Sequence, residues 1–314
     1  MTPNILSEIN KHPADDYIFR DDESHTYSIK LPEDCSDANL PELVSVTRLT
    51  EKYFKPFDAV RVSQLVSATC CGLAGHKYEG MSAEDLQKQW ADNSEDARAR
   101  GHELHRAIEL FFNPDVCIDA EESQRMHNVR QCEEFWQFEQ FWDEFRTGRL
   151  SLGDEVVPYR TEWIIYDRSA RVAGTVDMLL YNKSDKTYTL VDWKRVKRLD
   201  RTGRDKGVGL MSKYTNCNLT KYTFQLNVYR YILETVYGLP VRDAFLVAMH
   251  PTRDSYHVEP IPKEPFTSDV VCRVFQSLRS AHVLRWRLTQ DMVHNNTSNG
   301  QQQQQQRIKR DSED

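Results

Sequence analysis

Between residues 156 and 196 the chain alternates apolar and polar positions with a period of two, in three runs: VVPYRTEWIIYD (156–167), RVAGTVDMLLY (171–181) and YTLVDWKRV (188–196). That period sends successive side chains to opposite faces of a strand, and the turn-forming residues between the runs predict a sheet in the middle of the chain. On either side the pattern lengthens to a helical one. Asp58 can cap a helix through Val60, Leu65 and Val66, and Ser82 with Asp85 forms a capping box opening a second helix that contains Leu86 and Trp90. A third helix is expected from about Glu95 to Phe112, with Leu104, Ile108 and Phe111 on one apolar stripe and Pro114 ending it. From Glu122 to Thr147 the pattern predicts one long helix with Phe135, Phe138, Trp142 and Phe145 at core spacing, which favours packing over a platform for stacked bases.

After the sheet, a helix is expected from about Leu219 to Tyr237, closed by Gly238 and Pro240. Strands follow in DAFLVAMH and SYHVEPI, and a last helix in Ser268 to about Thr289. Upstream, YIFRDDESHTYSIK (17–30) reads as two short strands around an acidic turn, and Pro32 to Leu43 as loop. The chain therefore divides into a lead-in with a short hairpin (1–44), a main domain (45–290) and a tail (291–314) whose six-glutamine run has no apolar period and predicts disorder.

The middle sheet carries residues that a half-buried sheet does not ask for. Pairing about the centre of the turn NKSDKT sets Asp177 opposite Asp192, and opposed residues have Cβ atoms roughly 4.5–5.5 Å apart, from which two carboxylates can share one hard cation. Lys194 lies two residues further, on the same face as Asp192. Val176, Leu179, Leu190 and Val191 mark the hairpin as largely buried, where two carboxylates and an ammonium cost several kcal/mol. An Asp–Lys salt-bridge cluster on an exposed face has the same spacing, so position alone leaves both readings open.

GTVDMLL followed by LVDWK resembles the GxxD and DxK signatures of the PD-(D/E)XK nuclease superfamily, specifically its RecB-like exonuclease branch. GHELHRAIE resembles that branch's G-x-x-x-H helix, and KYTFQLNVYRYIL carries its Q-x-x-x-Y motif as Gln225 and Tyr229. The order and spacing agree across roughly residues 45 to 260. SVTRLTEKYFKPFD and NLTKYTFQLNVYRYILETVYG look like the group of viral nucleases and the mitochondrial genome maintenance exonuclease. One departure is Gly101-His102, where the family usually has Gly-Thr or Gly-Ser; His102 thereby competes with His105, which fits the spacing better.

The resemblance implies an α/β, restriction-endonuclease-like core with a central mixed sheet flanked by helices and a helical N-terminal region. It implies Asp177, Asp192 and Lys194 as catalytic residues. It further implies a divalent ion, Mg²⁺ or Mn²⁺, held by His105, Asp177, Asp192 and the Trp193 carbonyl. Glu109, one turn past His105, and Glu162 on the preceding strand are weaker candidates. The implied activity is phosphodiester hydrolysis in DNA, by an exonuclease on single-stranded ends; an endonuclease or an inactive DNA-binding module of the same fold are the alternatives, and DNA repair or replication the setting.

A net charge of −7 ordinarily counts against nucleic acid, but local distribution decides. Residues 194 to 206 hold seven basic and two acidic side chains, a local charge of +5, and the run begins at Lys194. Arg195, Lys197, Arg198, Arg201 and Arg204 are its candidate phosphate contacts, with Gln225 and Tyr229 facing the same strand end; a solvated loop is the plain alternative. Seven cysteines without a CxxC pair predict reduced thiols and no zinc site. With Cys272 alone after Tyr229, the iron–sulfur branch, which needs three there, is not expected. No apolar run approaches the roughly 18 residues of a membrane span, and the first twenty residues suit neither a signal nor a transit peptide, so an intracellular, non-membrane protein is expected.

Overall fold

The computed structural model describes residues 5–21, 24, 26–29, 42–148 and 156–283. Its centre is a six-stranded mixed sheet built from β3 (Val44–Ser45), β4 (Val156–Asp167), β5 (Val172–Asn182), β6 (Thr187–Arg195), β7 (Val241–Met249) and β8 (His257–Pro260). β1 (Ile18–Asp21) and β2 (Thr26–Ile29) form a separate antiparallel hairpin at the N-terminal side, as the sequence pattern predicts. β4, β5 and β6 are antiparallel neighbours, β6 and β7 run parallel, and β8 is an edge strand antiparallel to β7. The expected mixed sheet flanked by helices is what the chain builds.

Helices cover both faces. One side carries α4 (Ala83–Phe112), α5 (Ala120–Arg130) and α6 (Glu133–Arg146), whose Leu104, Ile108, Phe135, Phe138 and Phe141 pack on Met178, Val191, Trp193 and Val247. The other side carries α2 (Val46–Glu51), α7 (Asn218–Thr235) and α8 (272–283), packed on Trp163, Val176, Leu179 and Leu190. α1 (Ile5–Ile9) lies against β4, and α3 (Ala59–Cys70) against α4.

Three expectations need correction. The helices expected around Trp90 and from Glu95 are one unbroken helix of 30 residues, opened by the Ser82–Asp85 capping box, because no breaker separates them. The single helix expected over 122–147 is instead α5 and α6, joined at Gln131 and Cys132 without any Gly or Pro to mark the break. In α3 the apolar positions Val60 and Leu65 are 54% and 53% exposed, and Phe111 of the expected α4 stripe is 37% exposed, so the inward stripe is narrower than the apolar one. Of the last helix and the Gln-rich tail, everything beyond 283 lies outside the described residues.

The sheet has a notch, and it falls at the acidic hairpin. Along one edge β5 pairs with β4 along its length except at Asp177; along the other it pairs with β3 only at Val172 and Ala173, and with β6 only from Met178 onward. Asp177 thus sits where the β5–β6 ladder stops, one step beyond Met178↔Val191, in the register that sets it opposite Asp192. Alternation also lapses there, since Val176 joins the α7-side core and Met178 the α4-side core.

Candidate active site

The notch gathers side chains from four elements. α4 supplies His105, β4 Glu162, β5 Asp177, and β6 Asp192 and Lys194. Asp177 Oδ2 accepts the Trp193 N–H at 2.9 Å, so its carboxylate satisfies backbone that the broken ladder leaves free. His105 reaches the same point from above: Nε2 lies 3.0 Å from the Trp193 carbonyl, Nδ1 3.4 Å from Glu162 Oε1 and 3.7 Å from Asp177 Oδ2. A carbonyl can only accept, so Nε2 is the protonated nitrogen and Nδ1 faces the acids.

Glu162 enters by a backbone irregularity. It has φ 44°, the left-handed region that a glutamate adopts only where its surroundings hold it, and it falls between the pairs Thr161↔Met178 and Trp163↔Val176. Ligand atoms of His105, Glu162 and Asp177 all lie within 4.8 Å of one another. Nothing in an alternating pattern signals a reversed φ, which is why Glu162 ranked last among the candidates that the sequence offers. The feature that marks it is an acid on a strained backbone position, visible only in three dimensions.

Asp192 is 1% exposed. Lys194 Nζ lies 2.6 Å from its Oδ2, whereas Oδ1 has no hydrogen-bond partner among the described residues. A buried carboxylate oxygen without a donor is expensive unless a cation completes it. Burial raises the pKa of Asp177, and raises that of Asp192 to about 6 despite the opposing pull of Lys194. Burial acts against charge on His105 and Lys194 as well, but the acids overcome it, holding His105 at about 9 and Lys194 above its ordinary value. Lys194 also lies over the Tyr222 ring of α7, 5.4 Å from its centroid. Orphaned oxygen, clustered oxygens and one imidazole together fit a hard divalent cation.

The remaining candidates separate. The Trp193 carbonyl, expected as a ligand, accepts from His105 Nε2 with one of its two lone pairs and so orients that ring. Tyr229, expected as a phosphate contact, is 3% exposed, and its hydroxyl accepts from Gln225 Nε2 at 3.0 Å. Its ring lies where a Cβ on Gly174 would meet Cε1 at 2.6 Å, so the glycine of the GxxD pattern permits α7 to approach the notch. The Arg195 side chain is 9% exposed and held by Glu134 at 2.7 Å. Lys197, Arg198, Arg201 and Arg204 are exposed, with Arg198 paired to Asp200 and Arg201 to Glu259. Glu109 is taken by Arg106 at 2.8 Å, and His102 is exposed while His105 faces the acids.

Phe135, Phe138 and Phe145 are core, with Trp142 stacked on Phe145 at its margin. The ring that helical spacing does not single out is Trp136, 46% exposed in a groove shared with Arg130 and Arg253. Arg253 Nε donates to the Val196 carbonyl, two residues past Lys194, so that groove adjoins the end of β6.

No family model matches this chain. No curated protein matches it either. Among solved structures it is similar to a protein of Eubacterium rectale described as a "Putative exonuclease", at 13% identity and a TM-score of 0.32, covering 81% of this chain and 88% of that one. It is also similar to the protein SSO0001, at 12% identity and a TM-score of 0.22, covering 56% of this chain and 72% of that one. Overlap at that level says nothing of chemistry, which has to come from the residues themselves.

Proposed function

We propose that the protein is a metal-dependent deoxyribonuclease, acting as an exonuclease on single-stranded DNA ends, with its active site in the β5–β6 notch. The observation that carries this reading is the buried Asp192 oxygen without a donor, beside Lys194 and next to the cluster of His105, Glu162 and Asp177. A merely structural Asp–Lys pair has no use for an unsatisfied oxygen or for three further ligand atoms on one point. His105 through Nδ1, Glu162, Asp177 and Asp192 would hold Mg²⁺ or Mn²⁺. The chemistry such an ion supplies when bound is charge neutralisation at the phosphodiester and a more acidic attacking water.

The chain's own residues account for the rest. Lys194, held by Asp192 and facing Tyr222, would place a positive charge beside the pentacovalent transition state. The Trp193 carbonyl, accepting from Nε2–H, keeps Nδ1 of His105 turned toward the acids. Gln225, braced by Tyr229, can donate to a phosphate of the strand. Lys197, Arg198, Arg201 and Arg204 attract the backbone, and Trp136 between Arg130 and Arg253 offers an exposed ring for a base, which favours a single strand. A cleavage time course with Mg²⁺, Mn²⁺ or EDTA on 5′- and 3′-labelled linear and circular DNA tests the reading. Metal-dependent loss of the label end from linear strands is expected; nicked circles would make it an endonuclease, and no cleavage with retained binding an inactive module.

A further inference from the structure

Between α7, β7 and the edge strand β8 lies a groove with a cavity volume of about 590 Å³, its charged lining made of Arg201, Arg230, Arg242, Asp243, Glu259 and Lys263. Its unusual member is Arg230. The side chain is 1% exposed, yet it pairs with no carboxylate among the described residues. Its Nη1 donates to Asn227 Oδ1 at 3.2 Å and Nη2 to the Ile261 carbonyl at 3.4 Å, while Nε has no partner among the described residues. Arginine cannot shed its charge by losing a proton, so burying it this way leaves a cation in want of an anion.

Every acid whose field reaches Arg230 is already engaged. Glu234 takes Lys263 through both oxygens at 2.7 and 2.8 Å, Asp243 takes Arg242 at 2.7 Å, and Glu264 takes the Ser268 hydroxyl and N–H. Glu259 on the groove wall is held by Arg201 at 2.6 Å and His257 at 3.2 Å. Burial accordingly pulls the basicity of Arg230 below the ordinary guanidinium value. We infer that this groove is a binding site for a phosphate group, seated on the Arg230 guanidinium and ringed by Arg201, Arg242 and Lys263. A planar guanidinium suits a tetrahedral oxyanion that can accept two parallel N–H bonds, and the cavity is of ligand size rather than ion size. Arg201 is also part of the basic run that leaves Lys194, which makes a strand phosphate one source and a free mononucleotide the other. The site stands whether or not the notch cleaves DNA.

The test is thermal unfolding of the full chain in EDTA, with inorganic phosphate against chloride and acetate at equal ionic strength. Phosphate should raise Tm by at least about 2 °C over both, and the shift should vanish in Arg230→Met, which replaces the buried charge with an apolar chain of similar length. No phosphate-specific shift in the wild-type protein, or an equal shift in Arg230→Met, overturns the proposal. If that variant does not fold, hydrogen exchange of the wild-type chain decides: phosphate must slow exchange in 218–235 and 257–263, and protection confined to other segments overturns it. An oligonucleotide with a 5′-phosphate, compared with the same strand ending in hydroxyl, separates the sources. Tighter binding of the phosphorylated strand assigns the groove to a strand end, and equal binding assigns it to a free nucleotide.

Discussion

Asp192 brings its carboxylate to the notch from the apolar strand β6, two positions before Lys194. Glu162 comes from the alternating strand β4, at a residue with φ 44°, and its carboxylate lies 3.4 Å from His105 Nδ1. Removal of either is expected to act on metal binding before it acts on the fold. Asp177→Asn, Asp192→Asn and Lys194→Met should each lower cleavage at least about 10²-fold, the scale of losing one transition-state stabiliser, with circular dichroism unchanged. Near-normal Mg²⁺-dependent cleavage by any of them would remove the notch as the active site. Divalent metal should also stabilise the wild-type chain, by about 2.7 kcal/mol at a hundredfold excess over Kd, read as a Tm shift. That shift should be lost in Asp192→Asn and weakened, with partial recovery in excess Mn²⁺, in Glu162→Gln and His105→Ala; an undiminished shift in Glu162→Gln would return that residue to the status of a solvated charge.

Among the elements, β4 to β6 were legible almost to the residue because alternation, turn chemistry and burial agree there. The helical third was legible in kind but not in division. Nothing between Trp90 and Glu95 breaks a helix, so α4 continues through, whereas α5 gives way to α6 at Gln131–Cys132 for reasons of packing that composition does not carry. Tyr229 was readable as a motif position but not as a buried one, since its place depends on how closely α7 meets β5. That approach is a property of Gly174, whose added Cβ would meet Tyr229 Cε1 at 2.6 Å and Val46 Cγ2 at 2.9 Å. Gly174→Ala is therefore expected to cost roughly 1–3 kcal/mol by overpacking. It should also displace Gln225, so that KM for DNA rises as well. A denaturation midpoint equal to that of the wild-type protein would mean that α7 can shift without loss.

At the scale of the whole molecule, the chain is acidic, and the proposed strand path is the basic run that leaves the notch, so binding is expected to depend on salt through that run. Its cations differ in how far they are already engaged. Arg195 is held by Glu134, and Arg198 and Arg201 already have Asp200 and Glu259 as partners at 2.7 and 2.6 Å. Removing a paired arginine also frees its acid, which repels the strand, so such variants report repulsion as much as counterion release. Lys197 and Arg204 are exposed, and no ion pair engages them among the described residues. Each cation withdrawn from a phosphate of a single strand reduces the slope of log affinity against log salt by roughly 0.7, so Lys197→Ser with Arg204→Ser should reduce it by about 1.4, uniformly across base sequences. The measurement is a salt titration of oligonucleotide binding in an Asp192→Asn background with Ca²⁺, with and without the two substitutions. An unchanged slope would make the run a solvated loop and send the strand instead along the groove of Trp136, Arg130 and Arg253, where Arg253→Ser would then carry the salt dependence.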